Sequence, residues 1–370
     1  MAESFNRTRL YQWHVDHGAR MVPFAGWEMP VQYATGPIEE HRLTRRSAGM
    51  FDIDHMGQIT ITGLDAERFL NRLVTIDITK MKENEAAYAL MCYENGGIVD
   101  DVFIYNLPDK WFVVVNADNL AKDYDWMYEY DDGMKVKVDD VSLGIYMLAL
   151  QGPRAIELLQ HLTPADVTNM PRFSALEAEV AGHKTLIGRT GYTGEDGVEL
   201  FFSSNHVEEI WQRILDTGVE TGIEVGPVGL AARDSLRFEP GFSLYGHEIN
   251  ENITPLEANL GWACDFDSDF IGKAALLEQK EKGLTKKLIA FELTDKGVPR
   301  QGYIITNEDG HEIGEVVTGL YAPTVDKYCG HAFVPPEFAK PGTPLNIIIR
   351  NKPKAAIVVK RPFYKPAYRS

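Results

Sequence analysis

Residues 229–248 read Gly-Leu-Ala-Ala-Arg-Asp-Ser-Leu-Arg-Phe-Glu-Pro-Gly-Phe-Ser-Leu-Tyr-Gly-His-Glu. Arg233 and Arg237 stand one helical turn apart and share a face. The next residues, Gly241-Phe-Ser243-Leu-Tyr245, lack the second glycine of a nucleophile elbow. The block is neither a phosphate loop nor a metal cluster. Upstream, Gly188-Arg-Thr-Gly191-Tyr-Thr-Gly194 is glycine-rich without the Gly-x-Gly-x-x-Gly spacing. A strand rather than a helix is expected after it, which argues against a dinucleotide site. His14 and His17 share a helical face, but no Cys or third His stands close by, so they read as structural or surface histidines.

Outward from this block the chain mixes helices and strands. Gly57–Gly63 alternates as a half-buried strand does, and Leu64–Val74 spaces Leu64, Phe69, Leu70 and Leu73 for a helix. Val102–Tyr105 and Trp111–Asn116 flank Leu107-Pro108-Asp109-Lys110 and predict a hairpin. Lys184–Ile187 and Val198–Phe202 predict a second. Asn205 is expected to cap a helix bearing Val207, Ile210, Trp211, Ile214 and Leu215 on one face, ending at Gly218 or Gly222. Strand, helix, strand, strand over residues 57–116 points to an α+β sandwich. Beyond residue 285 the runs Leu288–Thr294, Glu312–Thr318, Cys329–Val334, Leu345–Arg350 and Ala355–Val359 predict an all-β barrel or jelly roll. No internal repeat is visible.

At 370 residues the chain exceeds one ordinary core. A hydrophobic content of 44% and a charged content of 25% are those of a soluble globular protein. The net charge of −17 argues against nucleic acid and anionic membrane as partners. Cys92, Cys264 and Cys329 form no paired framework, which predicts a reducing compartment. With no export or transit signal and no apolar run long enough to span a membrane, a cytoplasmic location is expected. The last thirty residues carry Arg350, Lys352, Lys354, Lys360, Arg361, Lys365 and Arg369 without an acid, a solvated basic face by default.

Blocks along nearly the whole chain resemble the folate-dependent aminomethyltransferases, the T-protein of the glycine cleavage system and its relatives. They include His17-Gly18-Ala19-Arg20-Met21-Val22-Pro23-Phe24, Phe51-Asp52-Ile53-Asp54-His55-Met56-Gly57 and Gly96-Gly97-Ile98-Val99-Asp100-Asp101. Val115-Asn116-Ala117, Leu150-Gln151-Gly152-Pro153, Gly191–Leu200, Gly229–Ile249, Thr254-Pro255-Leu256-Glu257 and Phe270-Ile271-Gly272-Lys273 continue the set in order. The resemblance implies an α+β cloverleaf of three domains around a central folate channel. It places a discontinuous folate-binding domain at 1–50 plus 140–275, a ferredoxin-like domain at 51–139 and a C-terminal β-barrel or jelly roll at 285–370.

It also implies the chemistry. The cofactor is tetrahydrofolate, and the reaction moves a one-carbon unit from aminomethyl-lipoyl H-protein to it with release of ammonia. Asp101 matches the catalytic carboxylate, which near N5 and N10 would orient the nucleophile and stabilise an iminium-like charge. Asp100 and Asp101, adjacent on a strand, point to opposite faces, so only one is expected to face the channel. Glu199 matches the pterin-binding position, where an ionised carboxylate accepts from a run of N–H donors. Arg233 matches a folate-site arginine, with an internal ion pair to Asp234, Asp101 or Glu239 as its structural alternative, while Arg237 reads as structural. Tyr88, Tyr192, Met56 and Asn116 are expected around the folate, and Asp54, His55 and Asp100 are substrate-pocket candidates; no metal is expected.

Three departures bear on the donor. Asp54 stands where the family has Ser, Val317-Thr318-Gly319 and Ala322-Pro323-Thr324 replace two motifs, and Cys264-Asp265-Phe266-Asp267 follows Gly261-Trp262-Ala263 where a basic residue is common. One alternative is therefore a demethylase relative, in which tetrahydrofolate accepts methyl from a small O-, N- or S-methyl donor and H-protein plays no part. Asp54 would suit a cationic donor of that kind. Another is a non-catalytic folate-binding regulatory or Fe–S-assembly relative, whose Lys-Gly-Cys-Tyr-x-Gly-Gln-Glu motif is absent here. A monomer or weak homo-oligomer is expected. An acidic H-protein would need a local basic patch, which the C-terminal residues could supply.

Overall fold

Strand Ile145–Gln151 shows how the sequence builds the first half of the structure, a computed structural model that describes residues 5–366. Tyr146, Leu148 and Leu150 point into one apolar cluster while Met147 and Ala149 point into another. That period-two alternation belongs to a strand covered on both faces. The strand lies inside a six-stranded sheet of order 175–180, 183–188, 197–203, 145–151, 48–52 and 225–227. One face of that sheet is packed by helices Tyr11–Asp16, Ala155–Gln160 and Val207–Thr221.

The last of these helices presents Val207, Ile210, Trp211 and Ile214 inward, as their spacing predicts. Each such side chain, once fully buried, contributes about 1.5–3 kcal/mol. Gly222 ends the helix at φ 68°, a left-handed conformation that glycine adopts without strain. The expected Asn205 cap is corrected. The strand runs to Ser203, whose hydroxyl accepts from the Asn205 N–H, and a 3-10 turn at Ser204–His206 comes before the helix.

A second, five-stranded antiparallel sheet has the order 86–92, 98–107, 110–115, 57–62 and 137–140. Helices Ala66–Leu73 and Leu120–Glu129 cover its outer face. Its inner face meets the first sheet through Phe51, Tyr105, Phe112, Val114, Met147 and Phe201. The result is four layers: helix, sheet, sheet, helix.

Both sheets share one order of elements. Strand 57–62, a helix, the hairpin 98–107/110–115, a helix and strand 137–140 form the ferredoxin-like arrangement, with 86–92 added at the edge. Strand 145–151, a helix, the hairpin 183–188/197–203, a helix and strand 225–227 repeat it, with 175–180 at the edge and 48–52 inserted. The chain shows no repeat in its sequence, so this symmetry is visible only in topology.

The barrel-or-jelly-roll expectation resolves to a closed six-stranded barrel: 287–293, 327–334, 312–322, 304–306, 344–349 and 352–359 in ring order. Ile304–Thr306, only three residues long, was invisible as a sequence run.

The bodies meet around helix Leu230–Phe238. Arg237 is buried there between Glu248 at 2.8 Å and Asp234 at 2.8 Å, and Glu248 also meets His331 Nδ1 of the barrel at 2.9 Å. The Arg237 reading as structural matches this geometry. Arg45 joins Glu195 and Glu239, each at 2.9 Å. Removing one partner of such a buried pair costs roughly 3–5 kcal/mol. Within the basic C-terminal run, Arg361 turns inward and donates to the Gly241 carbonyl at 2.6 Å, and Arg369 lies outside the described residues.

The helix starts at Gly229 because nothing larger fits. A Cβ there would lie 2.5 Å from the Val31 carbonyl, and its N–H donates to Glu40 Oε2 at 2.8 Å. Gly229→Ala is expected to destabilise the protein by about 1–3 kcal/mol, read as a lowered first transition in thermal unfolding. An unchanged transition would contradict this packing.

Candidate active site

The same alternation that builds the sheets places two carboxylates on their inner side. On strand Gly197–Ser203, Val198, Leu200 and Phe202 face the helices, so Glu199 shares the inner face with Phe201. On strand Ile98–Leu107, Asp101 shares a face with Phe103 and Tyr105. The register shifts between Met91 and Cys92 of the partner strand, which leaves Val99 as the extra residue of a bulge next to Asp100. Asp100 faces the helix layer, where it accepts from the Asn116 N–H at 3.1 Å, Asn116 Nδ2 at 2.8 Å and Asn119 Nδ2 at 2.5 Å.

Asp101 is half-buried, and its Oδ1 accepts from Asn116 Nδ2 at 2.7 Å. The Tyr88 hydroxyl also donates to its carboxylate. Burial, then the nearby Asp100 charge, pushes the Asp101 carboxyl up to about 7 against the pull of these two donors. The group therefore titrates near neutrality.

Glu199 Oε2 accepts from Thr190 Oγ1 at 2.6 Å and from the Tyr105 hydroxyl at 3.2 Å. Gly188, paired with Glu199 in the sheet, makes this possible: a Cβ there would lie 2.7 Å from the Tyr105 hydroxyl. Among the described residues no donor reaches Oε1. Burial raises the Glu199 carboxyl above the usual range, and Thr190, Tyr105 and Arg233 pull it back.

Arg233 lies over the Tyr192 ring, 4.8 Å from its centroid. Its guanidinium forms no hydrogen bond or ion pair with the described residues. The expected structural alternative fails because Asp234 pairs with Arg237, Glu239 with Arg45, and Asp101 with Asn116 and Tyr88. Arg233 also acts electrostatically on Glu199 and on His55. His55 is buried with neither ring nitrogen paired, edge-on to Phe24, and burial holds it neutral, down to about 3. Half-buried Met56 packs into the layer between the sheets.

The structure thus draws Tyr88, Asp101, Asn116, Tyr192, Glu199, Arg233 and His55 into one linked group. Asp100 and Asp54 face elsewhere. Asp54 Oδ1 accepts from the Met147 N–H at 3.2 Å, and burial and Asp52 push its carboxyl up to about 8. Sequence reasoning missed Tyr105, Thr190 and Trp262. Trp262 stacks on Tyr88 at 5.7 Å and 25° while 71% exposed, so it marks the outer rim. Tyr105 had a usable signal, since it lies four residues from Asp101 on the same strand and hence on the same face.

Two open grooves, of about 670 and 580 Å³, run along Lys82–Ala86 with Asp166–Leu176 and beside Arg72, Glu94 and Tyr130; neither includes a residue of this group. His183, His206 and Glu209 form the one cluster of metal-ligand type among the described residues, also outside it.

The GCVT N-terminal domain family matches residues 10–268, and the glycine cleavage T-protein C-terminal barrel domain matches residues 286–365. An aminomethyltransferase of Herpetosiphon aurantiacus is 48% identical over 365 residues, covering 98% of this chain and 99% of its own. One from Desulforamulus reducens is 47% identical with the same coverage. The crystal structure of the glycine cleavage system aminomethyltransferase T from Bartonella henselae superposes with a TM-score of 0.92 at 31% identity, over 99% of this chain and 100% of that one. Fold and site together define an enzyme of the one-carbon transferase class. The chain belongs to the glycine cleavage T-protein family, the aminomethyltransferases.

Proposed function

We propose that this enzyme transfers the one-carbon unit of an aminomethyl-lipoyl H-protein to tetrahydrofolate, with release of ammonia. The observation that carries the reading is a complementary pair of groups unfilled among the described residues: Glu199 Oε1 without a donor and the Arg233 guanidinium without an acceptor, linked electrostatically through Tyr192 to Asp101. A planar pterin rich in N–H donors fits Glu199 between aromatic faces. A carboxylate- or carbonyl-bearing tail fits Arg233. Tetrahydrofolate supplies the amine nucleophile when bound.

The protein's part is positioning and charge. Glu199 fixes the pterin, Tyr88 and Asn116 fix Asp101, and the Asp101 carboxylate stabilises positive charge developing at the transferred carbon. The buried surroundings strengthen that stabilisation. Asp101 acts as the ionised form, and its carboxyl lies near 7, so kcat is expected to rise with pH through about 7. A rising limb well below pH 6 would remove Asp101 from this role.

Asp54 argues against the small-donor alternative. A carboxyl held up to about 8 is mostly neutral at pH 7 and recognises a cationic donor poorly. The deciding experiment is mass spectrometry of the folate product with aminomethylated lipoyl-H-protein, beside a panel of small methyl donors. Methylene-tetrahydrofolate and ammonia formed only with H-protein support the proposal. Methyl-tetrahydrofolate formed from one small donor, with H-protein inert, overturns it.

A further inference from the structure

On the far side of the strand that carries Asp101, a third carboxyl is buried. Asp123 comes from helix Leu120–Glu129, has no solvent exposure, and neither of its oxygens receives a hydrogen bond from an N–H or hydroxyl. An ionised carboxyl there would lose its hydration with nothing in return, so it is carried as the neutral acid. Burial and the Asp100 charge agree, pushing it up to about 11.

A neutral acid has one O–H to place, and Asp100 is the carboxylate it reaches. Asp100 already accepts three N–H groups, so it is the ionised member of the pair. Asn116 Nδ2 has two hydrogens, one for Asp100 Oδ1 at 2.8 Å and one for Asp101 Oδ1 at 2.7 Å. The hydrogen bonds therefore run from Asp123 to Asp100, and from Asn116 to both Asp100 and Asp101.

The other ionisable neighbours do not break this chain. Lys122, on the same helix, donates to the Val99 carbonyl at 2.5 Å and sits 3.9 Å from the Tyr245 ring centroid. Tyr93, Tyr245 and Glu251 interact electrostatically around the same group but form no hydrogen bond with Asp123.

We propose that Asp123 is a positioning residue for Asp101: its O–H anchors Asp100, and Asp100 through Asn116 holds the Asp101 carboxylate in one orientation. The inference rests on the reading of Asp101 as the catalytic carboxylate. In Asp123→Asn the carboxamide still donates to Asp100. In Asp123→Leu no donor remains, so Asp100, and with it the Asn116 amide that donates to Asp101, loses its anchor.

The test is the pH profile of kcat in the full-length enzyme, joined to a 13C NMR titration of the Asp101 carboxyl in the ligand-free protein, assigned with Asp101→Asn. Asp123→Asn is expected to keep kcat within about threefold and the Asp101 titration in place. Asp123→Leu is expected to lower kcat about tenfold or more, leave KM for tetrahydrofolate within about twofold, and move the titration and rising limb up by roughly half a pH unit or more, because the Asn116 donor that holds the Asp101 carboxyl down is loosened. Asp123→Ala, which removes the donor without overpacking, serves if the leucine variant does not fold. Two results would overturn the proposal: wild-type behaviour in the donor-less variants, or equal loss in all variants with an unmoved Asp101 titration. If wild-type enzyme fails to turn over H-protein substrate, the functional reading falls, while the NMR titration still decides the positioning.

Discussion

Asp101→Ala lowers kcat by about a thousandfold or more and leaves tetrahydrofolate affinity within a few-fold of wild type. A thousandfold loss corresponds to roughly 4 kcal/mol of barrier. That is a reasonable share for a single charge whose surroundings are already arranged around it. Asn116 and Tyr88 both donate to the carboxylate, so it is oriented before substrate arrives. Burial limits the water that could compete with it. The affinity is spared because the groups that would hold the ligand, Glu199 and Arg233, have partners of their own, Thr190 with Tyr105 and Tyr192. Asp101→Asn separates charge from shape. It keeps the outline but sets an amide beside donors that Asn116 and Tyr88 already supply, and is expected to lose nearly as much. Single-turnover kinetics with an equilibrium folate titration would check both, and near-normal turnover in either variant would end the assignment.

Glu199→Ala produces the opposite split. Truncating one partner of a buried, charge-assisted contact costs about 2–5 kcal/mol, so Kd for tetrahydrofolate rises by roughly thirtyfold or more. Oε2 is fixed by Thr190 and Tyr105, which leaves Oε1 aimed with little freedom to lose on binding. Glu199→Gln is informative because it keeps the contacts to Thr190 and Tyr105 but turns an N–H₂ toward a ligand edge that also donates. It should weaken binding almost as much as alanine does. The ionised carboxylate is the binding form and its titration is raised by burial, so affinity is expected to fall as pH drops through that raised value. Fluorescence titrations of folate binding across pH read all three effects, and a pH-independent Kd in wild type would contradict the role.

Some of this was open to reading from residues alone. The alternation in 57–63 and 198–202, the helical spacing after 205 and the change to short β runs beyond 285 are local properties. Each survives as an element in the structure. The adjacency of Asp100 and Asp101 already placed them on opposite faces. Which one faced inward could not be read from the pair alone, because it depends on which face of the strand the second sheet covers and which the helices cover. Trp262 carried no signal either: an exposed indole becomes a rim residue only once Tyr88 lies beneath it. Asp123 belongs to no motif in the sequence, and only the packing of its helix buries it.

By itself, then, the sequence determined the kinds of element, their order, the family through its ordered motifs, and the residue types at the candidate site. Periodicity, glycine placement and charge act over a few residues, so they can be read in one dimension. The tertiary structure decided the rest. It paired strand 48–52 with strand 145–151 across a hundred residues, repeated one topology in two sheets without repeating a motif, and closed the barrel with a three-residue strand. Among the described residues it left Glu199 Oε1 without a donor and the Arg233 guanidinium without an acceptor. Burial, strand register and the choice of hydrogen-bond partner are set by residues far away in the chain, and they turn a carboxylate in a motif into one that titrates near neutrality.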